Sequence, residues 1–335
     1  MKRHLKLSVM MDQGAIPSED PDFTRKEEAT TTEGHVVTAL RELGHDVGIL
    51  GVGYEVEPIV QHLRERQPGM VFNLSEQFRG DRRLDSNVAG LLELMGVRFT
   101  GTGSAGLLIC RDKGLCKEIL SRHRIRVPDF LVFPPDQSVR IPKVFRYPAI
   151  VKPVFEDASD GISQASLVKN TEELQERARF VHEKWQQIAI AEEYIAGREL
   201  YVTILGNQRL TVLPPREIIF GDANGPPIAT SRVKWDNEYR EKWKIEYCAA
   251  KLRDDLLRSI ARVCKRVYRL LQLRDFGRVD LRVAEDGRIV VLEVNPNPDV
   301  AYGEDVAESA ATGGLRYNEL IDRILHHALR RYGEK

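Results

Sequence analysis

The chain has 335 residues, 42% of them hydrophobic and 30% charged, with 50 Lys plus Arg balancing 50 Asp plus Glu. That composition excludes a disordered or low-complexity chain and is that of an ordinary globular protein, long enough for two or three domains. With no net charge there is no overall field to favour nucleic acid or an anionic membrane, so the expected partners are small molecules bound at local sites.

From Leu5 to Thr100, short apolar runs alternate with helical periods: Leu5 to Met11, a helix near Thr32 to Leu43, Asp46 to Leu50, a helix near Val56 to Arg66, Met70 to Asn73, and a helix near Ser86 to Met95. This is a βαβ series and predicts a parallel sheet with helices on its faces. A long loop, Asp12 to Lys26 with Gly14, Pro17 and Pro21, follows the first strand, and the polar loop Glu76 to Asp85 follows the third. Loops at the carboxyl ends of such strands carry ligand contacts, so the first is expected to touch substrate.

A second unit has helices near Lys113 to Ser121 and Thr171 to Lys184 and strands near Phe130 to Phe133 and Ala149 to Lys152. The remainder begins with strands near Ile188 to Glu192, Glu199 to Leu205 and Leu210 to Leu213. It then crosses a polar stretch, Gly221 to Glu246, to a helix over Arg253 to Leu271, a hairpin, and a last helix near Tyr317 to Tyr332. The expected fold class is α/β with α+β subdomains, divided as an N-terminal Rossmann-like parallel-sheet domain (1–103), a central subdomain (104–189) and a C-terminal subdomain (190–335). Cys110, Cys116, Cys248 and Cys264 form no CxxC pair and no zinc spacing, which reads as buried thiols in a reducing compartment. The apolar run within Met1 to Met11 is too short for a signal-peptide core or a membrane span, so a cytoplasmic protein is expected.

The hairpin carries the strongest chemical signal. If Asp286-Gly287 is its two-residue turn, Asp280 stands opposite Glu293 and Arg278 opposite Asn295. Strand alternation puts those four on one face, with Val279, Leu281, Val283, Val290, Leu292 and Val294 on the core side. Opposed carboxylates roughly 5 Å apart at Cβ repel each other. A divalent cation resolves this, and two carboxylates plus an amide oxygen suit hard Mg2+ while phosphate oxygens complete its shell. The plainer alternative is a solvated face on which Arg278, Arg282 and Arg288 neutralise the acids. Pro296 and Pro298 end the strand just past the polar residues, which favours an exposed site at a sheet end.

Other segments gain meaning from this one. Lys152 closes the strand Ala149-Ile150-Val151-Lys152 beside the small-residue loop Glu156 to Ile162, an arrangement that can clamp phosphate. Glu192, Glu193 and Ile195 precede a turn at Gly197, and Glu199 follows it, so backbone groups there could read an adenine edge while Glu199 accepts ribose hydroxyls. Gly101-Thr102-Gly103-Ser104-Ala105-Gly106 matches GxGxxG between a strand and a helix, with Asp129 downstream, and supports a rival reading as an NAD-dependent oxidoreductase. Asp275-Phe276-Gly277 matches the kinase magnesium motif in letters only, since no HRD-type loop precedes it. A Walker A sequence is absent, so ATP would have to be held another way.

Taken in order, Val71-Phe72-Asn73-Leu74, Gly96 to Gly103, Arg111-Asp112-Lys113 with Lys117, Ile150-Val151-Lys152-Pro153, Glu192 to Glu199, Gly277-Arg278-Val279-Asp280 and Leu292-Glu293-Val294-Asn295 resemble the ATP-grasp superfamily in its D-alanine:D-alanine ligase-like branch, over nearly the whole chain. The resemblance implies two subdomains that grip ATP, residues 104–189 forming the lid, and a homodimer. By position it implies Lys113 and Lys152 on the nucleotide phosphates, the loop at Ser159 over them, Glu192, Glu193 and Ile195 around adenine, and Glu199 on ribose. Asp280, Glu293 and Asn295 become ligands of two Mg2+, which Mn2+ could replace. Arg278 and Lys234 become the catalytic groups, the first stabilising reacting oxygens and the second approaching the γ-phosphate.

The implied reaction is phosphorylation of a carboxylate by ATP and attack of an amine on the acyl phosphate, giving an amide, ADP and phosphate. D-alanine:D-alanine ligase itself, in peptidoglycan precursor synthesis, is the alternative within the family, and a nucleotide-binding module without turnover is one outside it. Four departures argue against D-alanine specificity. The acidic anchor expected in the first loop has only Glu27 or Glu28 to supply it, and Ser75-Glu76-Gln77 replaces a histidine-glycine element. Pro296-Asn297-Pro298-Asp299-Val300 replaces a serine-rich turn, and Ala158 stands where serine is common.

Overall fold

The computed structural model describes residues 4–25, 30–137, 139–156, 161–221, 228–230, 232–233 and 236–333. Glu27, Glu28, Ala158, Ser159 and Lys234 lie outside the described residues.

Strands β1 (Lys6–Asp12), β2 (Asp46–Val52) and β3 (Met70–Asn73) form a parallel sheet in the order β2-β1-β3. Leu7 to Met11 are buried on both faces of β1, as a strand covered by helices on both sides requires. Helices α1 (Thr32–Glu42), α2 (Glu57–Arg66) and α3 (Asp85–Leu94) supply the cover. The Thr31 side chain caps α1 by accepting from the Gly34 amide at 3.3 Å.

Helices α4 (Ser104–Arg111) and α5 (Lys113–Arg122) lead into an antiparallel sheet of β4 (Phe130–Phe133), β5 (Ala149–Pro153), β6 (Leu167–Val168) and β7 (Ala189–Glu193), with α6 (Thr171–Trp185) against it. The strand order is β4-β7-β5-β6. A division at residue 189 therefore separates β7 from its own sheet: Ala191 pairs with both Leu131 and Val151, and pairing partners so distant in sequence give no local signal.

The third sheet contains β8 (Gly197–Leu205), β9 (Thr211–Val212), β10 (Arg216–Phe220), β11 (Ile245–Ala249), β12 (Phe276–Ala284) and β13 (Ile289–Asn295), ordered β11-β10-β8-β12-β13 with β9 on β8. The polar stretch Gly221 to Glu246 holds more structure than its composition suggests. It contains α7 (Asn237–Lys242), whose cap Asp236 accepts from the Tyr239 amide at 2.9 Å, and it runs into β11. Helix α8 (Asp254–Leu270) covers one face of the sheet, packing Ile260, Cys264, Val267 and Tyr268 against Val202, Ile204, Val279 and Leu281.

After α9 (Asp305–Thr312), the last helix, α10 (Tyr317–Arg331), returns to the first domain. Its Leu320, Ile324, Leu325 and Ala328 share one core with Leu7, Val9, Val36, Leu40 and Phe72. None of the four cysteines is in a disulfide, and three of them are buried. Among the described residues no helix is long and apolar enough to cross a membrane.

Candidate active site

Asp280 pairs with Glu293 and Arg278 with Asn295, as predicted, although the turn between them is not the predicted one. Gly287 donates to the Ala284 carbonyl at 2.8 Å and Ala284 to the Arg288 carbonyl at 2.9 Å, so Glu285-Asp286-Gly287 forms a three-residue turn. Gly287 sits at φ 80, the left-handed position such a turn reserves for glycine. From there Val283 pairs with Ile289, Arg282 with Val290 and Leu281 with Val291, and the register then shifts before Asp280 meets Glu293. Leu292 is the extra residue of a bulge, and the two offsets cancel.

The core assignment on β13 changes as a result. Val291 and Val294 join Val279, Leu281 and Val283 in the core. Val290 is buried as predicted, but it is paired with Arg282 and lies outside that cluster, whereas Leu292, freed by the bulge, does not take the core position predicted for it. Leu292 instead lines a pocket between the second and third sheets, and its carbonyl accepts from Lys117 Nζ at 2.5 Å.

That pocket brings together Lys152, Glu192, Glu193, Ile195, Glu199, Asp280 and Glu293, with Tyr194, Tyr201 and Arg282 beside them. Lys113 joins it through an ion pair to Glu293 at 3.0 Å and also donates to the Glu156 carbonyl. Arg278 and Asn295 line an adjoining cavity of about 460 Å³, together with Ser75, Glu76, Tyr201, Pro296, Asp299 and Asp305. This is within the range of sites for small molecules. The Glu76 to Asp85 loop reaches this cavity directly, through Glu76, Arg82 and Asp85. The longer loop after β1 acts through its first residue: Asp12 Oδ1 accepts from Ser75 Oγ at 3.2 Å and from the amides of Glu76 and Gln77 at 3.1 and 3.3 Å. Burial pushes the Asp12 carboxyl up, against the pull of these hydrogen bonds.

Side-chain cations neutralise the facing acids. Arg278 grips Asp280 through Nε at 2.8 Å and Nη2 at 3.0 Å, and Asn295 Nδ2 donates to the same carboxylate at 3.0 Å. The guanidinium also reaches Asp305 at 3.5 Å, from the first turn of α9. Burial opposes the charge on Arg278, and the Asp280 and Asp305 carboxylates reverse that effect, so it stays protonated. The expectation that arginines on this face offset the acids thus holds for Arg278, whereas Arg282 pairs with Glu199 and Arg288 with Asp286.

Deeper in the pocket, Lys117 and Lys152 flank Glu192 at 3.1 and 3.2 Å. Burial alone would raise the Glu192 carboxyl, but the two ammonium groups outweigh it and hold the pKa below the ordinary value. Burial lowers Lys117, and attraction to Glu192 only partly restores it. The sequence reading gave Lys117 no role of its own. Its signal was the i, i+4 spacing from Lys113, which puts both lysines on one face of α5. Asp305 had no local signal, because it arrives from a separate helix.

The arrangement can hold an anion-bearing ligand between Lys113, Lys117 and Lys152, with hard oxygen donors from Asp280, Glu293 and Asn295 at its edge and a guanidinium between the two cavities. No group of three His, Cys, Asp or Glu suited to a metal occurs among the described residues, so a cation here would rest on two carboxylates and an amide. The glycine-rich loop is committed elsewhere. The Gly101 amide donates to Asp275 Oδ2 at 2.9 Å and the Thr102 amide to Asn297 Oδ1 at 3.0 Å. A Cβ on Gly101 would lie 2.5 Å from Asn297 Oδ1. Two amides a dinucleotide pyrophosphate would need are thus already bonded within the protein, which removes the basis of the oxidoreductase reading.

Residues 119–326 match the family model described as D-ala D-ala ligase C-terminus. The chain is 33% identical over 303 residues to the uncharacterized protein y4sG of Sinorhizobium fredii, covering 89% of this chain and 87% of that one. With the D-alanine–D-alanine ligase of Aquifex aeolicus it shares 29% identity over 305 residues, 90% of this chain and 96% of the relative. In fold it resembles the crystal structure of the D-alanine–D-alanine ligase from Bacillus anthracis complexed with ATP, at a TM-score of 0.76 and 21% identity over 98% of this chain and 99% of that one.

Proposed function

Since the chain belongs to the D-alanine–D-alanine ligase family and has its ATP-grasp fold, we propose that it is an ATP-dependent carboxylate-amine ligase, which activates a carboxylate as its acyl phosphate and couples it to an amine, with release of ADP and phosphate. The observation that carries this reading is the direct opposition of Asp280 and Glu293 at the edge of a pocket whose walls hold Lys152, Glu192 and Glu199, with Arg278 leading into a second cavity.

Lys113 and Lys152 hold the nucleotide phosphates, assisted by Lys117. Glu192, Glu193 and Ile195 surround adenine, and Glu199 accepts from ribose. The oxygens of Asp280, Glu293 and Asn295 form a hard donor set suited to Mg2+, which when bound neutralises charge on the phosphoryl oxygens. Arg278, free to exchange Asp280 for an anionic oxygen, stabilises first the transferring phosphoryl group and then the tetrahedral oxyanion. Ser159 and Lys234 lie outside the described residues, and the roles proposed for them are those the family resemblance implies: the loop at Ser159 covering the phosphates and Lys234 approaching the γ-phosphate. The lid comprises residues 104–193, with β7 included. A cytoplasmic homodimer is the accompanying expectation, and sedimentation of the purified chain checks the dimer.

The substrates differ from a pair of D-alanines, because Glu76 and Asp299 bring acid groups to the second cavity. ADP release measured across amino acids and dipeptides, with mass spectrometry of products, tests both levels. Release with a particular acid and amine, and none with D-alanine alone, is expected. Release on D-alanine alone would make the chain a D-alanine:D-alanine ligase, whereas ATP binding without phosphate release from any pool would leave only a binding module.

A further inference from the structure

Arg282 follows Asp280 by two residues on β12 and so shares its face. It is 3% exposed and directly paired with Glu199 on β8. Its Nε and Nη2 both donate to Glu199 Oε2, at 3.0 and 2.7 Å, and its Nη1 donates to the Ile195 carbonyl at 2.5 Å. The guanidinium lies 4.7 Å from the Tyr194 ring. On the other side of Glu199, Oε1 accepts from the Tyr201 hydroxyl at 2.9 Å.

We propose that Arg282 is a positioning residue for the nucleotide, fixing Glu199 so that it reads a single ribose hydroxyl; this rests on the nucleotide reading of the pocket. An ionised carboxylate has about four acceptor positions. Among the described residues, Arg282 fills two on Oε2 and Tyr201 one on Oε1, which leaves one on Oε1. Two donors on one oxygen also fix the carboxylate plane, because rotation would break both bonds. Arg282 and Glu199 both line the pocket, so an entering ribose meets the pair rather than a loose carboxylate.

Calorimetric binding of Mg-ATP, 2′-deoxy-ATP and 3′-deoxy-ATP tests this without requiring turnover. For the unaltered chain, one deoxynucleotide should bind roughly tenfold more weakly than ATP and the other within about twofold, the loss of one hydrogen bond to a charged group. Arg282→Gln should weaken ATP several-fold and bring the affected ratio close to one. Arg282→Lys should restore part of the discrimination, since an ammonium can donate to Oε2 without fixing the plane. Once a substrate pair is known, the effect should appear in KM for ATP and leave kcat nearly unchanged. Arg282→Lys remains informative if the Gln variant does not fold. Unaltered ribose discrimination in a folded variant, or loss of kcat with constant KM, would refute the role of Arg282 while leaving the ligase reading in place. Failure of Mg-ATP to bind the unaltered chain would overturn the nucleotide reading and this proposal together.

Discussion

Asp280 and Glu293 occupy opposed positions in one hairpin but differ in their surroundings, and substitution should separate their roles. The Asp280 side chain is 9% exposed and gripped by Arg278, itself 11% exposed, whereas Glu293 is 26% exposed beside Lys113. Removing the Asp280 charge leaves the Arg278 guanidinium with Asp305, at 3.5 Å, as its carboxylate partner among the described residues. Asp280→Asn is therefore expected to cost about 3 kcal/mol of stability in denaturant unfolding. Glu293→Gln, at a more open position but facing the buried Lys113, should cost less, about 2 kcal/mol. Both should reduce Mg-ATP-dependent ADP release about 100-fold or more, and near-normal release from both folded variants would defeat the metal assignment. Residue chemistry was the most legible level of this chain. Asp280, Glu293, Asn295, Lys152, Glu192 and Glu199 could be placed by alternation and strand ends, because a period of two needs only a few residues to establish. The distribution of charge was only partly legible: Arg278 offsets Asp280, two residues away on the same strand, but Arg282 closes on Glu199 and Asp305 reaches Arg278 because β8 and α9 approach from elsewhere in the chain.

At the level of the element, β13 shows how a correct outcome can follow from an incorrect path. A three-residue turn and a bulge at Leu292 displace the register in opposite senses, so the acids meet while the residues between them change faces. Val291→Ala should then behave as a core truncation, costing on the order of 2 kcal/mol. Leu292→Ala should cost less than about 1 kcal/mol and instead weaken ATP binding several-fold, through lost apolar contact in the pocket. Equal destabilisation by both, with unchanged ATP affinity, would contradict the bulge. The sequence could not announce it, since Val290, Val291 and Leu292 are all apolar and alternation among them is invisible. Strand β7 was misplaced for a related reason. Its residues read as a strand, but membership of a sheet depends on partners about 40 and 60 residues away in sequence.

Over the whole molecule, the ends of the chain are joined. Helix α10 completes the core of the first domain, and Asp275, fully buried, accepts from the Gly101 amide, from Asn207 Nδ2 at 2.8 Å and from Arg331 at 2.9 Å. This carboxylate ties the glycine-rich loop, the third sheet and the last helix together. Asp275→Asn should cost about 3 kcal/mol by depriving the half-buried Arg331 of the buried carboxylate it pairs with, and the first domain and α10 should lose their amide protection from hydrogen exchange in parallel. Protection lost from α10 alone would show that the two do not share a core. The sequence by itself determined the alternation of strands and helices, the residue types on the chemical face of the hairpin, and the order of motifs that marks the family, because each depends on neighbours within a few positions. Only the tertiary structure decided that β7 belongs to the second sheet, that α10 belongs to the first domain, and that the GxGxxG amides are bonded to Asp275 and Asn297. It also decided that Lys113 meets Glu293 and that Arg282 meets Glu199. These depend on contacts between distant segments, where burial and charge pairing select among partners that the local sequence leaves equivalent.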